Sequence, residues 1–340
     1  MNKLSSFIGI ITLIVALLVV GCRKDKSQLA CNPNTDPCPG SCDNDIDITA
    51  LTFGYDPSFY GVHHVAPFYN PLNNDQFLFG TADYDLISGS LNIYNISSGT
   101  VTELWNSGTF SGGLVGQPNW TRTDWIVWGG SDLNIYKVRP DGSNLTQLTS
   151  TGGNRWPECD YDGNLIVFNN LSTIGSILMD INGTYIDTLF IEGDGTNSGW
   201  KESSWNSENE IAMANGSSPL YGIGYWDYDD STQTSLLVQP SGGQDEMREV
   251  QWHPNNQDIY YSKWSNGIFK VNVTDKVEEL VKVGCYRHYY PNISISNDGQ
   301  QMLACKLVVD SITPAEELAI SEYIVTMDIN GCNETIIPIP

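Results

Sequence analysis

IYKVRPDGSNLTQLT, residues 135–149, is a complete β-hairpin in miniature. An alternating apolar strand runs into Asp141-Gly142, and a second strand returns. An Asp-Gly or Asn-Gly pair suits such a tight turn because both of its central positions favour positive φ. The same arrangement recurs in MDINGTYIDTLF (179–190) and MDINGCNETII (327–337), and Asp-Gly or Asn-Gly pairs stand at 141–142, 162–163, 182–183, 298–299 and 330–331.

Upstream of each such hairpin lies a second common element: an anchor ending in an aromatic, a polar turn and a short apolar strand. The clearest copy is Pro157-Glu158-Cys159-Asp160-Tyr161-Asp162-Gly163 followed by LIVF (165–168). The others are APFYN with FLFG (77–80), QPNW with WIVW (125–128), ESSW with EIAMA (210–214), VQWHP with DIYYS (258–262), and PNISISNDG with QMLAC (301–305). Turns between the third and fourth strands fall at Gly99, Gly142, Gly183, about Ser231, about Asp275 and Gly331, at intervals of 43, 41, 48, 44 and 56 residues. The long last interval holds an insertion at 308–322, the only stretch with a helical look. Each unit is expected to be one four-stranded antiparallel sheet. Such a sheet cannot bury both faces alone, but six packed around an axis can, so the fold class is an all-β, six-bladed β-propeller.

These residues carry a family resemblance. The hairpins at 135–149, 179–190 and 327–337 resemble the third and fourth strands of the TolB-type propeller repeat. SISNDGQQML and CDYDGNLIVF resemble its first-to-second hairpin. The likeness spans residues 63–340 in all six repeats, although the usual Trp-Ser-Pro-Asp-Gly turn is intact in none, and the WD-repeat signature is absent. The resemblance implies a scaffold or a protein- or peptide-binding module.

The first 22 residues carry an address. Lys3 precedes an uncharged apolar run, Phe7 to Val20, too short for a comfortable membrane span. Leu18-Val19-Val20-Gly21-Cys22 then resembles the bacterial lipobox, in which the Cys thiol takes a diacylglycerol. Residues 1–21 are therefore expected to be a lipoprotein signal peptide and Cys22 the lipidated residue, with acyl chains as the membrane anchor. Residues 22–45 form a polar tether, and 46–340 the propeller, with 46–62 as a possible closing strand. Arg23 and Lys24 do not match an Asp-type inner-membrane retention signal, which favours the outer membrane. Apart from Cys22 there are seven cysteines, at 31, 38, 42, 159, 285, 305 and 332, so at least one thiol is left unpaired.

Charge narrows the partners. With 40 acidic against 16 basic residues the net charge is −24, which disfavours nucleic acid, whose phosphates require Lys and Arg. Against that background, the residues just before the anchors are His63 and His64, Gln117, Arg155, Lys201, Arg248, and Arg287 with His288. They suggest a cationic channel mouth, with Trp156 beside it, suited to an anionic peptide, another envelope protein or an acidic glycan. The other reading of the same residues is an inter-blade charge network with Glu158, Glu202 and Glu249. His253, in a Trp-His-Pro turn, is expected to be structural.

Enzymatic signatures are sparse. Gly-x-Ser-x-Gly, His-Glu-x-x-His, Gly-x-Gly-x-x-Gly and Walker loops are all absent from the sequence. No cofactor is expected. The arrangement also resembles propeller lyases acting on uronides, which hold a divalent metal with channel histidines. In that alternative His63, His64 and His288 are weak metal candidates brought together at the ring's seam.

Overall fold

The computed structural model of the chain describes residues 63–82, 89–106, 116–170, 176–189, 201–217, 220–240, 247–263, 266–285, 288–312 and 318–340. Cys22, the tether with Cys31, Cys38 and Cys42, the segment 46–62, Trp200 and Arg287 lie outside them. Six antiparallel sheets follow one another along the chain. Blade 1 is β1 (His63–Asn70), β2 (Asn73–Ala82), β3 (Gly89–Asn95) and β4 (Thr100–Asn106). Blade 2 is β5 (Asn119–Trp120), β6 (Ile126–Gly129), β7 (Ile135–Val138) and β8 (Thr146–Gln147). Blade 3 is β9 (Asn154–Cys159), β10 (Leu165–Asn170), β11 (Ser176–Asp180) and β12 (Tyr185–Leu189). Blade 4 is β13 (Lys201–Trp205), β14 (Glu210–Ser217), β15 (Leu220–Asp227) and β16 (Thr232–Pro240). Blade 5 is β17 (Met247–Trp252), β18 (Asp258–Lys263), β19 (Gly267–Asn272) and β20 (Glu278–Val283). Blade 6 splits its inner strand into β21 (His288–Tyr289) and β22 (Ile293–Ile295), both paired with β23 (Gln301–Ile312), and continues through β24 (Leu318–Asp328) to β25 (Thr335–Ile336).

The expected helical look is overturned at residues 308–312 and 318–322. Residues 308–312 and 318–322 extend the β23–β24 hairpin, with Val308 opposite Ser321 and Val309 opposite Ile320. Val308, Val309, Ile312 and Ile320 are β-branched, and such side chains favour a pleated surface.

Burial explains the ring. Six separate apolar cores form, one for each pair of adjacent blades. Leu78 and Leu91 of blade 1 meet Trp120 and Trp128 of blade 2. The last core joins Tyr69, Phe77 and Tyr94 of blade 1 to Leu303, Ile324 and Ile337 of blade 6, which closes the circle. Truncating one large buried side chain in such a core, Trp128 for instance, typically costs about 3–5 kcal/mol.

Turn chemistry bears out the period. The third-to-fourth-strand turns carry a left-handed residue at Gly99, Gly142, Gly183, Ser231, Lys276 and Gly331. The first-to-second turns do so at Asp124, Gly163, Asn209, Asn256 and Gly299. Glycine is required at two of these for a further reason. A Cβ on Gly163 would stand 2.6 Å from Thr121 Cβ and Thr123 Oγ1 of the preceding blade, and one on Gly299 2.6 Å from His253 Nε2.

Candidate functional site: a blind axial pocket

The inner strands set the channel. Phe68, Asn119, Glu158, Ser204, Gln251 and Ser294, which immediately precede Tyr69, Trp120, Cys159, Trp205, Trp252 and Ile295, all line one cavity of about 390 Å³. Several of them tie their blade to the next. Asn119 Oδ1 accepts from Cys159 N–H at 3.2 Å, Ser204 Oγ from Trp252 N–H at 3.1 Å, and Ser294 Oγ from Tyr69 N–H at 3.0 Å. Glu158 takes the Trp205 N–H in the same way. Channel lining and ring closure are thus performed by the same side chains.

The cavity opens among the first-to-second turns. At its rim Arg122 reaches across blade 1 to Asn297 of blade 6 at 2.6 Å, with its guanidinium 4.1 Å from the centre of the Tyr161 ring. Asn256 Nδ2 donates to Ser207 at 2.7 Å. His253 also lines the pocket, yet Nδ1 accepts from Asn255 N–H and Nε2 lies 3.1 Å from Gly299 O, so the ring is engaged in its turn as expected.

The other end of the cavity is closed by Gln117. Its Nε2 donates to Pro67 O at 2.6 Å and to Ile293 O at 3.0 Å, while its Oε1 accepts from Gln251 Nε2 at 3.3 Å. One amide therefore binds blades 1, 5 and 6 from blade 2. Beside it lies a small void of about 20 Å³, lined by Gln117, Trp156, Pro157, Glu158, Ser203, Glu249 and Val250.

Glu158 stands at the meeting of these two spaces and is 7% exposed. Asn119 Nδ2 donates to its Oε2 at 2.5 Å. Burial raises the carboxyl, the bonds from Asn119 and the Trp205 N–H lower it only in part, and it is pushed up to about 8. No described basic side chain pairs with it. The expected pairing of the funnel cations with Glu158 is therefore not made among the described residues.

The other expected residues are placed as follows. Pairing to the second strand sets Arg155 opposite Asn169, Lys201 opposite Ala214 and Arg248 opposite Ser262, two residues beyond the partners of Glu158, Ser204 and Gln251. These three positions share one level of the ring. In blade 1 that level belongs to Val65, with His64 one step and His63 two steps further along. His288 pairs with Val308, three residues beyond the level's own partner, Cys305. Arg155 lies 3.9 Å over the Trp156 ring. The side chains of His63, His64, Lys201 and Arg248, and the whole of Arg287, are outside the described set.

His288 is buried near another cluster. Its Nε2 is 3.3 Å from Tyr290 Oη, which donates to Glu334 at 2.7 Å. Glu334 also receives Lys282 at 3.0 Å and a close Lys306. Burial alone would raise Glu334. The bonds from Lys306 and Tyr290 and the charges of Lys282 and Lys306 outweigh it, holding the carboxyl at about 2. Among the described residues no group of three His, Cys, Asp or Glu is placed to hold a metal ion. Cys159 is a free, buried thiol, the buried Cys305 Sγ donates to Glu322 Oε1 at 3.6 Å, and Cys285 and Cys332 are disulfide-bonded.

Sequence foresaw the ring but missed Glu158 as a lining residue. The reason is a bulge in the inner strands. Ala66, Trp156, Glu249 and Asn292 take left-handed φ of 52–55°, and the pairing slips beside the first three. Each slip breaks the two-residue alternation from which facing is read. A usable signal was present: a lone acid in the inner-strand series Phe, Asn, Glu, Ser, Gln, Ser.

No family model and no curated protein matches the chain. Solved structures do. A putative TolB from Agrobacterium tumefaciens aligns over 73% of this chain and 88% of its own, at 15% identity and a TM-score of 0.57. TolB from Acinetobacter baumannii aligns over 82% of this chain at 11% identity and a TM-score of 0.58; this chain spans 63% of that protein, less than two thirds. An oligogalacturonate lyase from Vibrio parahaemolyticus aligns over 82% and 80% at 11% identity and a TM-score of 0.50. Six antiparallel blades, a closed seam and these neighbours together make the fold that of a TolB-like six-bladed β-propeller.

Proposed function

We propose that this chain is a bacterial envelope lipoprotein, anchored through Cys22, whose propeller is a binding scaffold that receives part of a partner polypeptide. The observation that carries the binding role is the blind axial pocket: all six blades line it, one face admits a ligand, and Gln117 stops the other. Its volume lies at the small end of ligand pockets, about 300–1,000 Å³. It suits a side chain or short segment, with the surrounding turns as a wider platform. The level shared by positions 155, 201 and 248 on the opposite face supplies a second contact surface, for anionic groups of the partner. The likeness to TolB structures agrees with an envelope setting, and the lipobox supplies the anchor.

A photo-cross-linking residue in place of Tyr161, at the exposed rim, tests the role in intact cells. The expected result is a discrete adduct with a second polypeptide that disappears when Ser207→Trp narrows the mouth. No adduct, or one indifferent to Ser207→Trp, removes the pocket from the function, and cleavage of uronides by the metal-supplemented protein would replace binding with lyase chemistry. Retention of acyl label in Cys22→Ala would remove the anchor.

A further inference from the structure

Glu158 is a buried carboxylic acid at the inner end of a pocket, and among the described residues no basic side chain pairs with it. The other charged groups around the cavity are already committed. Asp160 accepts from the N–H of Asn164 at 2.6 Å and of Leu165 at 2.7 Å, within its turn. Arg122 is held by Asn297 and Tyr161. His253 is held by Asn255 and Gly299. The remaining titratable neighbours are Cys159, whose thiol burial pushes up, and the phenols of Tyr69 and Tyr161, with Glu249 on the far side in the small void. None of these offers a cation to Glu158. The polar groups beside it are neutral: Asn119, Ser204, Gln251 and Ser294. Phe68, Trp120, Trp205 and Trp252 supply the apolar part of the lining.

We propose that the pocket is a receptor for a single organic cation, the lysine or arginine side chain of an extended partner segment, with Glu158 as its counter-ion. This rests on the binding role proposed above and names the chemistry of the inserted group. An ammonium or guanidinium on an aliphatic stem matches the lining from end to end: charge at Glu158, hydrogen bonds donated by the cation to the amide oxygens of Asn119 and Gln251, and hydrocarbon against the aromatic residues. Charge at larger scale agrees, since a body of net charge −24 attracts cations towards the mouth. Burial keeps Glu158 protonated near neutral pH, so capture of a cation releases that proton. The balance is simple: the acid O–H gives its proton to solvent, and the carboxylate left behind pairs with the arriving cation.

The test uses the purified chain and four blocked tripeptides, acetyl-Gly-X-Gly-amide with X lysine, arginine, norleucine or glutamate, followed by calorimetry in buffers of different ionisation enthalpy. Lysine or arginine is expected to bind at least about 10-fold more tightly than norleucine, with glutamate weakest. Affinity should rise up to about 10-fold per pH unit between pH 6 and 8, and protons should be released. Glu158→Gln should abolish the pH dependence and the preference while the unfolding transition stays cooperative. Equal binding of norleucine and lysine, no binding of any cationic peptide, or an unchanged preference in Glu158→Gln would overturn the proposal. An adduct at position 161 without binding of a cationic peptide would sink this assignment and leave the scaffold role standing. Glu158-dependent lysine binding without an adduct would do the reverse.

Discussion

Gln251 Nε2 donates to Gln117 Oε1 at 3.3 Å, and the two residues belong to blades 5 and 2, which stand on opposite sides of the ring. A propeller axis is commonly pictured as a hole. Here two amides meet across it, and the space becomes a cup. Gln117→Ala leaves the carbonyls of Pro67 and Ile293 without this donor. It is expected to lower unfolding free energy by about 1–3 kcal/mol, measured as a lower denaturant midpoint with an unchanged slope.

Glu158 should make stability fall as pH rises. In the unfolded chain its carboxyl ionises near its ordinary 4.5, whereas the folded protein keeps the proton to about 8. Between those values the folded state binds more protons, so its contribution is fully present below the lower value and is lost towards the upper one, by at most about 1.4 kcal/mol per pH unit. Comparing urea unfolding of the wild type and Glu158→Gln across pH 5–8 checks this. The variant should lack that component of the slope.

Glu334 acts in the opposite sense. Its folded carboxyl stays ionised down to about 2, so its contribution is present above about 4.5 and is lost as pH falls towards 2. Glu334→Gln strands Lys282 and Lys306, both buried, without their shared counter-charge. It should cost about 3–5 kcal/mol near neutral pH, and the variant should show a weaker acid transition in circular dichroism.

Gly163→Ala and Gly142→Ala separate two effects. Both positions have left-handed φ, +73° and +81°, but a Cβ at 142 meets nothing within 4 Å, whereas one at 163 collides with Thr121 and Thr123. The exposed site should lose about 1–2 kcal/mol from backbone strain alone. The excess at 163, read by thermal unfolding, measures the packing of one blade's turn on the next.

Much of this architecture was legible beforehand. The left-handed turns at 99, 142, 183, 231 and 331 stand where Gly or a polar pair marked them, and the fifth moved by one residue, from Asp275 to Lys276. Turn chemistry is local, so sequence carries it. The pocket was not legible because its lining depends on the slip at Trp156 and Glu249, which realigns strands against their partners. Gln117 was legible as a channel residue, but its bonds to Pro67 and Ile293 depend on residues 50 and 176 positions away.

The seam between the first and last blades gives the molecule a mechanical weak point. Among the described residues no strand of one blade completes the other. Among the described residues the join includes the shared core with Ile337, the Ser294–Tyr69 bond, the Asn297 N–H donating to Asn74 Oδ1 at 3.1 Å, and the Tyr94 hydroxyl donating to Pro338 O at 3.1 Å. Tension entering from the N-terminal side arrives at β1, on this join. Under load the ring should part there like a clasp, while each sheet stays intact, so the protein would yield by opening before it unravels.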